Sequence, residues 1–154
     1  MMKILFVCTA NICRSALAES VLRKKLRQKG LTDIFVDSAG VHDYAAEPYD
    51  SQMVSLACRA GYNMDGCAQY LSSMMLENAD IIICMEHFHM VEVQKRLPYA
   101  KWNRIHLFNE ICFNERTDLP DPSGDTNYMY YYVFDKIIEG SNIIVSKLSK
   151  QISL

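Results

Sequence analysis

Apolar and polar positions along this chain follow two alternating periods. Residues 3–8 form a short apolar run, Lys3-Ile4-Leu5-Phe6-Val7-Cys8, that predicts a buried strand. Residues 15–29 carry Leu17, Ala18, Val21, Leu22 and Leu26 on one stripe and predict a helix. Its C-terminal half holds Arg23, Lys24, Lys25, Arg27 and Lys29, where the helix dipole favours cations, and Gly30 suits the stop. Ile34-Phe35-Val36 predicts a second strand, ending at Asp37-Ser38-Ala39-Gly40. Asp50 is placed to cap a helix carrying Met53, Leu56, Ala57 and Ala60, with Gly61 after it. Residues 72–78 form a further short helix, and 79–85, holding Ile81-Ile82-Ile83, a third buried strand. Residues 87–96 read as a helix that stops before Pro98, and 104–108 as a fourth strand. Residues 109–126, with Pro120 and Pro122, read as a loop. A final helix spans 127–148, with Tyr130, Val133, Ile137, Ile144 and Leu148 on one face and a propensity cost from Gly140.

Strands alternating with helices, and strands apolar on both faces, predict an α/β fold with a parallel sheet covered on both sides. Its crossovers are right-handed, and ligands sit outside the carboxyl ends of the strands. Those ends lie just after Val7, Val36, Ile83 and Leu107. With 154 residues and no repeat or linker, residues 1–154 are expected to be one domain.

Half the residues are apolar and 22% are charged, which fits a globular protein and argues against disorder. The net charge of −2 leaves no bulk positive field to hold nucleic acid. An anionic ligand must therefore be caught by a local device. No apolar run approaches the ~20 residues of a membrane span, so no membrane partner is expected. The apolar start is followed at once by Asn11 and Arg14 and reads as a strand rather than a signal peptide. The six cysteines are scattered without zinc spacing, so no metal is expected and a reduced, cytoplasmic setting is the simplest reading.

That local device is Cys8-Thr9-Ala10-Asn11-Ile12-Cys13-Arg14-Ser15, a C-x5-R-S segment where a strand hands over to a helix. Successive backbone N–H groups ending in a helix N-terminus make an anion nest, lined here by Thr9, Ala10, Asn11, Ile12 and Cys13. The same positive potential favours a thiolate at Cys8. Arg14 offers a planar fork for two phosphate oxygens. Ser15 can hydrogen-bond the sulfur, and Asn11, which tolerates φ > 0, can fix the loop through its amide. Attack by that sulfur on a phosphate ester requires a proton for the departing oxygen. Asp121, stiffened between Pro120 and Pro122, is the candidate donor, and its carboxylate would then activate water. Asp118 and Asp125 are neighbouring alternatives.

The sequence resembles the low-molecular-weight protein tyrosine phosphatases. The residues that carry the likeness are Val7 to Ser15 with Ala18-Glu19, then Asp37-Ser38-Ala39-Gly40, Ile83-Cys84-Met85 and Asp121-Pro122. The resemblance implies a four-stranded parallel sheet in order 2-1-3-4 with helices on both faces. It implies Cys8 as nucleophile, Arg14 as phosphate clamp, Asp121 as general acid, and Ser15, Asn11 and Ser38 as supports of the loop. It also implies a reversible Cys8–Cys13 disulfide on oxidation. Tyr44 falls where the family places an aromatic residue at the rim of the substrate slot. No cofactor or metal is implied. The implied activity is hydrolysis of phosphotyrosine and small aryl phosphates through a phosphocysteine. The partners are phosphotyrosine-containing proteins, inorganic phosphate is the product, and the chain is expected to be a monomer, with a weak dimer as the alternative.

This sequence departs from the family pattern in places. Ala10 stands where most members have Gly, Gly66 and Gln69 replace a common His and Arg, and Ser123-Gly124 replaces the aromatic residue after Asp-Pro. Tyr128, nearest that loop, is the candidate replacement wall. Three other activities share the loop or the fold. A thiol-relay arsenate reductase needs a second cysteine after the third strand, which Met85 to Arg96 lacks. Phosphoarginine phosphatases resemble this chain but carry Thr at the place of Ile12. A phosphotyrosine-binding module without turnover would need neither Cys8 nor Asp121. His87 and His89 follow the third strand and are assigned no role.

Overall fold

The computed structural model describes residues 1–151 and 154. Strand β1, Met2–Cys8, alternates its side chains between two apolar layers. Ile4, Phe6 and Cys8 enter one core, and Leu5 and Val7 enter the other. That period of two is the strand's pleat made visible. Three further strands, β2 (Ile34–Gly40), β3 (Ile81–Cys84) and β4 (Ile105–Leu107), complete a parallel sheet in order β2-β1-β3-β4. The order expected from the family resemblance is the order found.

One face is covered by α1 (Arg14–Gln28), α2 (Ser51–Arg59) and α6 (Asn127–Ser149). Leu17, Val21 and Leu22 of α1 meet Val133, Ile137 and Ile144 of α6 there. The other face is covered by α3 (Ser73–Asn78) and α4 (His87–Gln94), through Leu76 and Val93. Asp50 and Ser72 cap α2 and α3, each accepting from the amide three residues on. A short 3-10 helix over Tyr99–Arg104 leads into β4.

Residues 109–126 are not wholly a loop. Helix α5, Phe108–Phe113, occupies their start and ends at Asn114 in the left-handed region. Phe108, Ile111 and Cys112 are buried at helical spacing against α6, so tertiary packing overrides the loop chemistry of the prolines that follow. The same contact explains Gly140. A Cβ there would lie 2.5 Å from Phe108 Cζ and 2.9 Å from Cys112 Sγ. The missing side chain is what lets α5 approach α6.

Gly140→Ala should therefore destabilise the protein by about 1–2 kcal/mol in urea unfolding, because overpacking outweighs the ~1 kcal/mol of helix propensity gained. A stabilised variant would contradict this packing account.

Candidate active site

The carboxyl ends of the strands are in register. Cys8 is paired with Gly40, Val7 with Cys84, and Cys84 with Leu107. Beyond Cys8 the chain turns through Thr9 to Cys13 and enters α1 at Arg14. The carbonyls of this turn point outward and are held there. Cys8 O accepts from Val41 N at 3.0 Å, Thr9 O from His42 N at 2.9 Å, Ile12 O from Asp50 N at 2.7 Å and Cys13 O from Leu17 N at 2.9 Å. In each peptide plane the N–H points opposite to the carbonyl, and the Asn11 N–H donates to Cys8 Sγ at 3.3 Å.

The left-handed residue of the turn is Asn11, at φ 59°, and not Ala10. Ala in place of the family's Gly at position 10 thus carries no positive-φ strain. The glycine the turn does require is Gly40 on β2. A Cβ there would lie 2.7–2.9 Å from backbone atoms of Thr9, Ala10 and Asn11.

Polar contacts around Cys8 have fixed directions. Gln69 N donates to Asn11 Oδ1 at 2.9 Å. Asn11 Nδ2 therefore faces the other way and donates to both Ser15 Oγ and Ser38 Oγ, each at 2.8 Å. Ser38 passes its own proton to Glu19 Oε1 at 2.9 Å. Ser15 Oγ, accepting from Asn11, lies 2.8 Å from Cys8 Sγ, where its hydroxyl can donate to a Cys8 thiolate. Glu19 is buried, which pushes its carboxyl up, and Arg23 at 3.0 Å opposes that shift. Gln69, in the place of the common Arg, also reaches Asp37 Oδ1 at 2.9 Å and Ser38 O at 3.2 Å.

Arg14 is 2% exposed, and its guanidinium is partly engaged. Nη1 donates to Glu86 Oε2 and to Leu119 O, both at 2.7 Å. The edge left for an anion is Nε–Nη2. This narrows the expectation of a free fork, and neither Glu86 nor the Leu119 carbonyl was singled out from sequence. Among the three loop aspartates, Asp121 reaches the clamp, with Oδ2 3.7 Å from Arg14 Nη2. Its other oxygen accepts from Ser123 N at 3.0 Å. Asp118 accepts instead from the backbone and ring of His87, at 2.8 and 2.7 Å, and Asp125 accepts from Thr126 N.

The remaining predicted residues lie as follows. Cys13 is buried between the turn and α1, and burial, then Asp50, pushes its thiol up, so it rests protonated. Tyr44 lies in the exposed turn after β2. Tyr128 is 72% exposed and stacks on Tyr132 of its own helix at 6.5 Å. Tyr130 is spent on packing, with its hydroxyl donating to Asp50 Oδ2 at 2.7 Å. His89 is fully buried and bonds Thr9 Oγ1 at 2.8 Å, a link that joins residues 80 positions apart and has no local signature in the chain.

Comparison with known proteins matches this arrangement. The model of the family described as "Low molecular weight phosphotyrosine protein phosphatase" matches residues 3–154. The chain belongs to this family. A relative named low molecular weight protein-tyrosine-phosphatase Etp, from Escherichia coli strain K12, is 32% identical over 148 residues, covering 96% of this chain and 95% of that one. The crystal structure of a protein tyrosine phosphatase from Entamoeba histolytica superposes with a TM-score of 0.89 at 30% identity, over 98% of this chain and 99% of that one. The YwlE arginine phosphatase from Geobacillus stearothermophilus shares the fold at a TM-score of 0.88 and 22% identity, over 98% and 95% of the two chains. No helix among the described residues is long and apolar enough to cross a membrane.

Gly40→Ala should weaken competitive inhibition by inorganic phosphate at least about tenfold while leaving the circular dichroism spectrum unchanged, because the added methyl displaces the turn rather than the sheet. Unaltered phosphate inhibition would mean that the turn does not depend on this approach.

Proposed function

We propose that this low-molecular-weight phosphatase hydrolyses phosphotyrosine in proteins, and small aryl phosphates, through a phosphocysteine on Cys8. The observation that carries the reading is the Cys8 sulfur held 2.8 Å from the Ser15 hydroxyl and 3.3 Å from the Asn11 N–H, with the Arg14 guanidinium and the Asp121 carboxylate 3.7 Å from each other in the adjoining segments. Phosphate oxygens sit among the turn amides and on the Nε–Nη2 edge of Arg14. The Cys8 thiolate attacks phosphorus in line with the tyrosyl oxygen, so that a P–S bond forms as the P–O bond breaks. Asp121 gives its proton to the departing phenolate oxygen. The resulting carboxylate takes a proton from water, whose oxygen attacks phosphorus. The P–S bond breaks, and inorganic phosphate leaves. In this last step the Ser15 hydroxyl stabilises the leaving thiolate.

In this reading Tyr44 forms one wall of the slot for the tyrosyl ring, and Ile12 supplies an apolar floor. Tyr128 is already stacked on Tyr132, so it is a poor replacement for the aromatic residue missing at Ser123. The thiol-relay reading has less support. Cys84 is completely buried and its thiol is pushed up by that burial, and α4 carries no second cysteine. All six cysteines are free, which supports a reducing, cytoplasmic setting.

Cys8→Ser should lower kcat on phosphotyrosine peptides by about 10³-fold or more and still bind phosphate, as seen by equilibrium titration. Retained turnover would remove the nucleophile assignment. Asp121→Asn should slow phenyl phosphate about 10²-fold or more and 4-nitrophenyl phosphate far less, since nitrophenolate departs without a proton. Equal slowing of the two would place the acid elsewhere.

A further inference from the structure

His89 lies in the first turn of α4, fully buried, and no step of the reaction above uses it. Its two ring nitrogens have distinct partners. Nδ1 accepts from the Glu86 backbone N–H at 3.1 Å. A nitrogen that accepts carries no hydrogen, so the neutral ring holds its hydrogen on Nε2. Nε2 lies 2.8 Å from Thr9 Oγ1 and therefore donates to it. Burial, and then the Arg14 guanidinium, push the imidazole down to about 3. His42 acts in the same direction, and Asp118 and Asp121 oppose it without reversing it. The ring is thus neutral, in one tautomer, across pH 5–8.

The consequence falls on Thr9. Its oxygen accepts from His89, so its own hydroxyl hydrogen must point elsewhere, and among the described residues it meets no protein acceptor. Thr9 is the second residue of the turn, and its carbonyl is held by His42 N. The same Nε2 lies 3.8 Å from Glu86 Oε2, which in turn is 2.7 Å from Arg14 Nη1. The Thr9 hydroxyl and the guanidinium are therefore linked through His89 and Glu86. We propose that His89 is a positioning residue that presents the Thr9 hydroxyl as a hydrogen donor to a bound phosphate oxygen. This deepens the phosphate-cradle reading and rests on it. A charged ring could not play this part without losing the Glu86 bond, since both nitrogens would then donate.

The test exploits the two ring positions. A glutamine amide reaches the Nε2 position and an asparagine amide only the Nδ1 position. Binding of inorganic phosphate, measured by calorimetry, should stay within about threefold of wild type in His89→Gln. It should weaken about tenfold in His89→Asn and in Thr9→Val, and adding His89→Asn to Thr9→Val should cost no more than about twofold. Additive losses in the double variant, or wild-type binding in His89→Asn, would overturn the proposal. So would an equal loss in His89→Gln and His89→Asn, which would put the effect at Glu86. Nitrogen NMR of the unaltered protein needs no variant to fold. It should show an Nε2-protonated ring whose shifts do not move between pH 5 and 8, and a titrating or Nδ1-protonated ring would refute the assignment. Neither readout uses turnover, so a protein that binds phosphate through Thr9 and hydrolyses nothing would fail the phosphatase reading alone. A wild-type protein that binds no phosphate would remove both.

Discussion

Gln69 offers the Asn11 carboxamide a backbone N–H, and a peptide nitrogen can only donate. That one constraint orients the amide, and with it the polar groups around Cys8. Both Asn11 Nδ2 hydrogens go to serines, Ser38 donates onward to Glu19, and the Ser15 hydroxyl is left with a hydrogen it can give to a Cys8 thiolate 2.8 Å away. A buried network whose members are all satisfied is rigid, and its directions are not negotiable. The Cys8 sulfur receives a hydrogen from the Asn11 amide and lies within hydrogen-bond reach of the Ser15 hydroxyl. In the proposed mechanism these are the groups that steady the thiolate as it attacks and as it leaves.

The fold holds this arrangement by aligning strand ends. Because Cys8 and Gly40 are paired, and Cys84 and Leu107 end one residue short of that level, the segments that follow these strands converge on the turn and on Arg14. β2 brings Ser38 and the bare backbone of Gly40 under the turn. The start of α4 brings Glu86 to Arg14 and His89 to Thr9. The loop after α5 brings the Leu119 carbonyl and Asp121 to the guanidinium. No single element makes the site, which is why ligands in parallel sheets lie at this edge.

Departures from the family pattern are absorbed by neighbours. Gln69 stands where many members carry Arg, and it is its backbone N–H that holds Asn11 Oδ1. Ser123 replaces an aromatic ring, but its backbone N–H holds Asp121. Backbone groups survive substitution, so a network routed through them tolerates side-chain change.

Local signals in the chain determined much of this protein. Period-two and period-3.6 patterning placed the strands and most of the helices. The C-x5-R-S spacing marked the turn, and Asn11 was legible as the residue able to hold φ > 0, because Asn accepts the left-handed region where most side chains do not. Asp50 was legible as a cap for a different local reason, a short side chain whose oxygen reaches the amide three residues on. Only the tertiary structure decided the rest. Helix α5 exists because Phe108, Ile111 and Cys112 find the gap left by Gly140, a partner 28 residues beyond Cys112. Glu86 and His89 carry no mark in sequence, since each acts on a group more than 70 positions away along the chain. Which face of Arg14 stays open, and which loop aspartate reaches it, depend on how separate strand ends meet, and chain spacing alone holds no record of that meeting.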